Sequence, residues 1–385
     1  MSARAPEQKI SIKQLLQVMV KQDASDLYIT SEMPPAYRIN SKVVPLKQAP
    51  LTAVQCEQLA NSTMSEKQRA DFSENMEMNL AIAYEGMGRF RVNIFRQRGD
   101  VGMVIRKITT DVPTIDDLNL PQVFKDIIMN KRGLVIMVGA TSSGKSTSLA
   151  AMIDHRNKNA AGHIITIEDP IEFVHKHQKS VVTQREVGTD TLDFQHALEN
   201  ALRQAPDLIL VGEIRDRETM EHALEFAETG HVCVATLHAN NSNQALERIR
   251  NFFPEELHLQ VQLNLAMNMK AILSQRLVRT VDGGRTVATE ILINTARVAD
   301  QITGWDIMGI KETMMNGVNY GMSTFDQALL KLWKDGKIEE DEALKNADAV
   351  NDLRLSMKMS RLESTDGDSG SSLDQLPTSG SGLSI

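Results

Sequence analysis

The chain has 385 residues, of which 42% are hydrophobic and 24% charged, and a formal net charge of −8. That length holds two domains with cores of their own, and the make-up is that of an ordinary globular protein. The acid excess argues against a large nucleic-acid footprint, which needs a basic face, and no apolar run approaches the ~20 residues that cross a bilayer.

Cys56 and Cys233 are the two cysteines, and neither sits in a metal-ligand pair such as C-x-x-C. A reduced, cytosolic chain is the simplest reading, with Cys233 a small core residue in an apolar run. Met1 to Ile10 carries no apolar signal core. Membrane association is therefore expected only through partners.

From Ile10 to Ile108 the pattern is mixed. Ile12, Leu15, Leu16 and Met19 repeat at helical spacing. Strand-like runs follow at Asp26 to Thr30, Tyr37 to Ile39 and Leu80 to Tyr84. Gly88 to Arg96 alternates basic or polar with apolar residues, as an exposed strand does, and Val101 to Ile108 reads as its hairpin partner. This predicts a small α+β domain over 1–112.

Thr109 to Pro121 reads as a linker and helix start. Beyond it, apolar runs at Leu134 to Val138, Ile164 to Ile167, Leu208 to Val211 and Val232 to Leu237 alternate with helical stretches, including Ser146 to Asp154 and Leu192 to Arg203. Such runs predict parallel strands buried on both faces, hence an α/β domain over 113–350. Asn264 to Ala347 reads as mostly helical. The segment 351–385, and most clearly its Ser-, Gly- and Asp-rich part from Leu362, reads as a disordered acidic tail.

The run Gly139, Ala140, Thr141, Ser142, Ser143, Gly144, Lys145, Ser146 fits G-x-x-x-x-G-K-[ST], with Thr147 next; it follows an apolar strand and opens a helix. Glycines let backbone N–H groups converge on phosphate oxygens, and the helix N-terminus adds positive potential. Lys145 is expected on the β- and γ-phosphates of ATP and the Ser146 hydroxyl on Mg²⁺.

Leu208 to Val211, then Gly212 and Glu213, is a buried strand ending in an acid, the form of a second nucleotide motif whose carboxylate holds Mg²⁺, commonly through water. Asp207 stands at the wrong end of that strand. Glu168, Asp169 and Glu172 follow the strand His163 to Ile167, on the side where open sheets bind ligands, and one could orient or deprotonate a water. A solvated acidic turn has the same composition. His231 and His238 bracket the strand Val232 to Leu237, and spacing does not separate a phosphate sensor from a structural role. Arg89, Arg91, Arg96, Arg98 and Arg106 form either a solvated basic hairpin or a source of charge for phosphoryl transfer.

Taken together, Gly139 to Thr147, Thr166 to Phe173, Val211 to Asp216 and Gly230 to His238 resemble the Walker A, Asp-box, Walker B and His-box motifs of secretion ATPases. Ala24 to Leu27 and Gly88 to Asn93 resemble the N-terminal domain of the type IV pilus retraction ATPases, the PilT/PilU family. The resemblance covers residues 10 to 345. It implies a PAS-like α+β domain followed by a RecA-like P-loop ATPase domain. It implies Glu172 as the catalytic base, Glu213 as the Walker B acid, His231 and His238 as His-box residues, Arg91 and Arg106 reaching the γ-phosphate, and Arg203 near the ATP site.

Departures narrow the choice. Two cysteines cannot build the four-cysteine zinc module of extension ATPases. Arg297 to Gly304 replaces the C-terminal motif of the principal retraction motors, and Glu199 stands where many relatives carry an arginine. These point to the accessory, PilU-like branch. By resemblance, a homo-hexamer is expected to power or assist pilus retraction at the cytoplasmic face of the inner membrane, with a PilT-like ATPase and the inner-membrane platform protein as partners and no nucleic acid. A nucleotide-binding adaptor and a DNA translocase of the RecA-like class are the alternatives.

Overall fold

The computed structural model describes residues 10–40, 42–109 and 111–368. The chain begins with α1 (Ile12–Lys21), β1 (Asp26–Ile29), β2 (Ala36–Ile39), β3 (Lys42–Pro45), α2 (Ala53–Asn61) and α3 (Glu66–Asn75). The long strands β4 (Glu77–Tyr84), β5 (Gly88–Gln97) and β6 (Asp100–Lys107) follow. Helix starts are written locally. Ser11, Thr52 and Ser65 each cap a helix and are met three residues later by Gln14, Gln55 and Gln68 in a capping box.

β1–β6 form one antiparallel sheet in the order β3-β2-β1-β6-β5-β4. The face built from Leu27, Ile29, Phe90, Val92, Ile94, Met103 and Ile105 packs on α1 and α2. β5 was expected to be exposed. Instead Phe90, Val92 and Ile94 are fully buried, because β5 is flanked by β4 and β6 and one face lies on the core.

After β6 come α4 (Val123–Ile128), β7 (Gly133–Val138), α5 (Lys145–Asn159), β8 (Gly162–Glu168), β9 (Ser180–Glu186) and α6 (Phe194–Ala201). Next come β10 (Leu208–Val211), α7 (Arg217–Glu228), β11 (Val232–Leu237), α8 (Ser242–Asn251) and α9 (His258–Asn268). The chain closes with β12 (Met269–Arg279), β13 (Arg285–Ile293), α10 (Ala296–Thr303), α11 (Ile307–Asn316), α12 (Phe325–Lys334), α13 (Glu340–Lys345) and α14 (Val350–Asp368). Seven strands make a sheet in the order β13-β12-β7-β11-β10-β8-β9. β12 pairs parallel with β7, β8 pairs parallel with β9 and β10, and β10 pairs parallel with β11; β13 is antiparallel to β12. The four strands expected from apolar runs are present, and every residue of β7, β10 and β11 is buried.

Two expectations are corrected. Asn264 to Ala347 is not mostly helical, since β12 and β13 occupy its first half. α9 ends at Asn268 and β12 starts at Met269 with no Gly or Pro between them, so nothing in the local sequence marks the change. The segment from 351 is not a disordered tail up to Asp368, because it forms α14. Leu353 and Met357, one helical turn apart, are buried with Val278, Phe325, Leu329 and Ile338, and that burial holds the helix. The rest of the expected tail, 369–385, lies outside the described residues.

By compactness the described residues divide into two units, one drawn from 10–114, 128–132 and 149–235, the other from 115–127, 133–148 and 236–368. The first unit thus extends past the boundary expected at 112. Within that unit, Val174 N–H donates to Thr109 O at 3.2 Å, and the Arg89 guanidinium lies 3.9 Å from Glu186 and from Asp190.

Candidate functional site

The phosphate loop runs from the end of β7 into α5. Its backbone turns through positive φ at Gly139 (155°), Ser142 (62°) and Gly144 (88°), the kind of turn that points successive N–H groups inward. A Cβ at Gly139 would stand 2.5 Å from Ser143 Oγ and 2.7 Å from Gln275 O, so only glycine fits there. Lys145, 9% exposed, folds its ammonium back into the loop, donating to Gly139 O at 2.7 Å and Ala140 O at 2.9 Å. Ser143 Oγ is buried without a hydrogen-bond partner. A buried cation, an orphaned hydroxyl and a cradle that excludes Cβ atoms suit an anionic ligand such as phosphate.

Two cavities meet this loop. One, of about 650 Å³, is lined by Gly139, Ala140 and Thr141 with His238, Asn240 and Gln244. The other, of about 450 Å³, lies along Thr141 to Ser143 beside Arg276, Arg279 and Arg285. Both are of a size that holds a small ligand.

The acids follow the parallel strands of the other unit. Glu168 ends β8 and accepts from Thr166 Oγ1 at 2.6 Å and Gln184 Nε2 at 3.2 Å. Burial pushes its carboxyl above the ordinary range, the Thr166 and Gln184 hydrogen bonds oppose this, and the Glu172 charge adds to it. Glu172 itself is exposed. Glu213 follows β10, and Arg215 Nε donates to its Oε2 at 2.7 Å while reaching Asp169 at 3.6 Å. Asp207 begins the same strand and accepts from His163 N–H at 2.7 Å, at the end remote from Glu213.

The two histidines separate. His238 follows β11 and lines the larger cavity. His231 precedes β11, its Nδ1 3.1 Å from Thr229 Oγ1 and 3.3 Å from Phe226 O at the end of α7. A strand has two ends, so β11 holds the pair apart by its whole length.

Arg106, expected to reach toward phosphate, donates from Nε to Asp26 at 2.7 Å; Arg38 pairs with the same carboxylate at 3.2 Å. Register places Arg38, Asp26, Arg106 and Arg91 in one cross-strand row. Arg203 is exposed in a 3₁₀ turn (Leu202–Gln204) after α6, and Ser146 is exposed in the first turn of α5.

Sequence reasoning missed Arg215, Gln184 and Gln275. Only Arg215 left a trace, as a basic residue inside the Val211 to Asp216 motif. Gln184 lies on the unforeseen β9, and Gln275 on the unforeseen β12. Among the described residues no three His, Cys, Asp or Glu side chains gather to hold a metal ion, and no helix is long and apolar enough to cross a membrane.

A phosphate loop between a buried strand and a helix, on a sheet whose parallel strands end in carboxylates, defines a P-loop ATPase. The model of the family described as "Type II/IV secretion system protein" matches residues 3–322. A type IV pilus ATPase of Pseudomonas aeruginosa, PilU, is 53% identical over 367 residues, 95% of this chain and 96% of its own. The type IV pilus retraction ATPase PilT of that organism is 40% identical over 338 residues, 88% of this chain and 98% of its own. The crystal structure of the pilus retraction motor PilT with bound ADP superposes with a TM-score of 0.84 at 39% identity, covering 90% of this chain and 99% of that one. The chain belongs to the type II/IV secretion system protein family, within its group of type IV pilus retraction ATPases.

Proposed function

We propose that this ATPase assembles as a homo-hexameric ring that powers or assists type IV pilus retraction, as a PilU-like accessory to a PilT-like motor. The observation that carries the nucleotide reading is the phosphate loop, with its buried Lys145 ammonium and the partnerless Ser143 hydroxyl. The accessory role is supported by the likeness to PilU over nearly the whole chain. A head-to-tail interface closes into a ring when its rotation permits. The working parts are 1–112 and 113–350, with nucleotide-driven movement between them. The ring works at the cytoplasmic face of the inner membrane, on the platform protein of the pilus machine.

In this reading the loop N–H groups and Lys145 bind and orient the β- and γ-phosphates of ATP. The Ser146 hydroxyl and the Glu213 carboxylate are hard oxygen donors of the type Mg²⁺ takes together with substrate phosphates. Bound there, Mg²⁺ would neutralise charge on the phosphate oxygens. Arg215 fixes the direction of the Glu213 carboxylate, at 2.7 Å. Glu172 accepts a proton from the attacking water, and His238 and Arg203 add donors to the developing charge. Arg91 and Arg106 deliver positive charge from the N-terminal part. His231 holds the amino end of β11.

Lys145→Ala removes the cation that phosphate meets and should lower ATP turnover about 100-fold or more. Steady-state hydrolysis by the purified protein measures this, and wild-type rates in the mutant would exclude the assignment. Retraction scored in cells with and without the PilT-like partner separates an autonomous motor from an accessory one.

A further inference from the structure

We infer that Gln275 is a positioning residue for the ATPase reaction: its side-chain amide holds the phosphate loop in its nucleotide-binding shape. Gln275 lies in the middle of β12 and is 1% exposed. Its Nε2 donates to Ser143 O at 2.8 Å, and its Oε1 accepts from Ser148 Oγ at 2.8 Å. One amide thus ties the loop on the N-terminal side of Lys145 to the first turns of α5 on the other side.

Main chain and side chain of the same residue both close on the cradle. Its carbonyl stands 2.7 Å from where a Cβ on Gly139 would lie, and its Nε2 stands 2.7 Å from where one on Gly144 would lie. Both glycines of the motif are therefore constrained against this one glutamine. Between β7 and α5 the loop turns through three positive-φ positions, and the amide of Gln275 adds a side-chain tie to its turn bond from Ser143 N–H to Ala140 O at 3.3 Å.

The neighbouring residue acts on the opposite face of the strand, as the pleat requires. Ser274 Oγ donates to Glu290 Oε1 at 3.1 Å, and that buried oxygen also accepts from Ser242 N–H and Ser242 Oγ, each at 2.7 Å. Ser242 opens α8, directly after the loop that carries His238. Two consecutive residues of β12 therefore tie down two neighbouring segments: Gln275 holds the phosphate loop, and Ser274, through Glu290, the start of α8.

This rests on the phosphate loop being the nucleotide site, which Lys145→Ala tests separately. Affinity of the full-length protein for Mg·ADP is measured by calorimetry for wild type, Lys145→Ala, Gln275→Met and Gln275→Glu. Gln275→Met keeps the volume but leaves Ser143 O and Ser148 Oγ unmatched, so affinity should fall about tenfold. Gln275→Glu replaces the donor with a carboxylate facing the Ser143 carbonyl. Its deficit should be about tenfold near pH 8 and shrink as the pH falls toward about 5.5, where the protonated acid again donates. A residue that only fills the core gives no such pH dependence. Wild-type affinity in Gln275→Met overturns the inference, and so does a Gln275→Glu to wild-type ratio that is the same at every pH. If the methionine variant does not fold, the glutamate series alone decides. Equal affinities for wild type and Lys145→Ala would instead overturn the nucleotide site itself.

Discussion

Among the carboxylates after β8, burial assigns different duties to neighbours. Glu168 is pushed toward its neutral form and committed to Thr166 and Gln184, while Glu172 stands exposed four residues later. A base must accept a proton at working pH, so the exposed acid is the better candidate. Glu172→Gln should keep Mg·ADP affinity near wild type and lower turnover about 100-fold or more, as single-turnover hydrolysis would show. Glu168→Gln, which mimics the protonated acid, should cost far less; if instead it is the more damaging change, the two roles are reversed. The row Arg38, Asp26, Arg106 and Arg91 makes the same point in the other sheet. Asp26, buried at 2% exposure, takes two of those arginines as partners. Asp26→Ala should therefore lower stability by about 1–3 kcal/mol, the cost of removing a buried hydrogen-bonded group, measurable by chemical denaturation. The family resemblance singled out Arg106, but the register of β1 against β6 decided that it meets Asp26.

At the scale of elements, legibility followed local patterning. β7, β10 and β11 were readable because each is an unbroken apolar run, and α1 because its apolar residues repeat at helical spacing. β9 was not, because Ser180 to Glu186 mixes Ser, Thr, Gln, Arg and Glu among its valines. α14 was not legible because its apolar residues Leu353, Leu355, Met357 and Met359 alternate with polar ones rather than repeating at helical spacing, and only Leu353 and Met357 are buried. This yields a contrast between truncations. A chain ending after Asp368 should keep wild-type thermal stability. One ending after Ala349 strips Leu353 and Met357 from a cluster that includes Phe325 and Leu329. It should lose at least about 2–5 kcal/mol, the range for deleting a single buried large side chain. Equal melting temperatures for both truncations would show that α14 adds nothing to that core.

For the whole molecule, the ring reading predicts that hydrolysis depends on assembly. Arg91 lies on β5 and Lys145 on α5, in different compact units. If Arg91 acts across a subunit boundary, mixing inactive Lys145→Ala and Arg91→Ala subunits should recover part of the activity, because some sites then hold both groups. No recovery in assembled mixed rings would place the arginine in the same subunit as the lysine it serves. The sequence by itself determined the nucleotide chemistry, since Gly139 to Ser146 is contiguous and its spacing is set by the size of a phosphate and the start of a helix. It also determined the strands buried on both faces and the capped helix starts, which answer to residues within a few positions of each other. Tertiary structure decided what depends on distant residues: that Arg215 bridges Glu213 and Asp169, that Asp26 takes both Arg38 and Arg106, and that Gln275 braces Ser143 and Ser148. Those pairings are fixed by strand order and register, and neither is written in any window short enough to read.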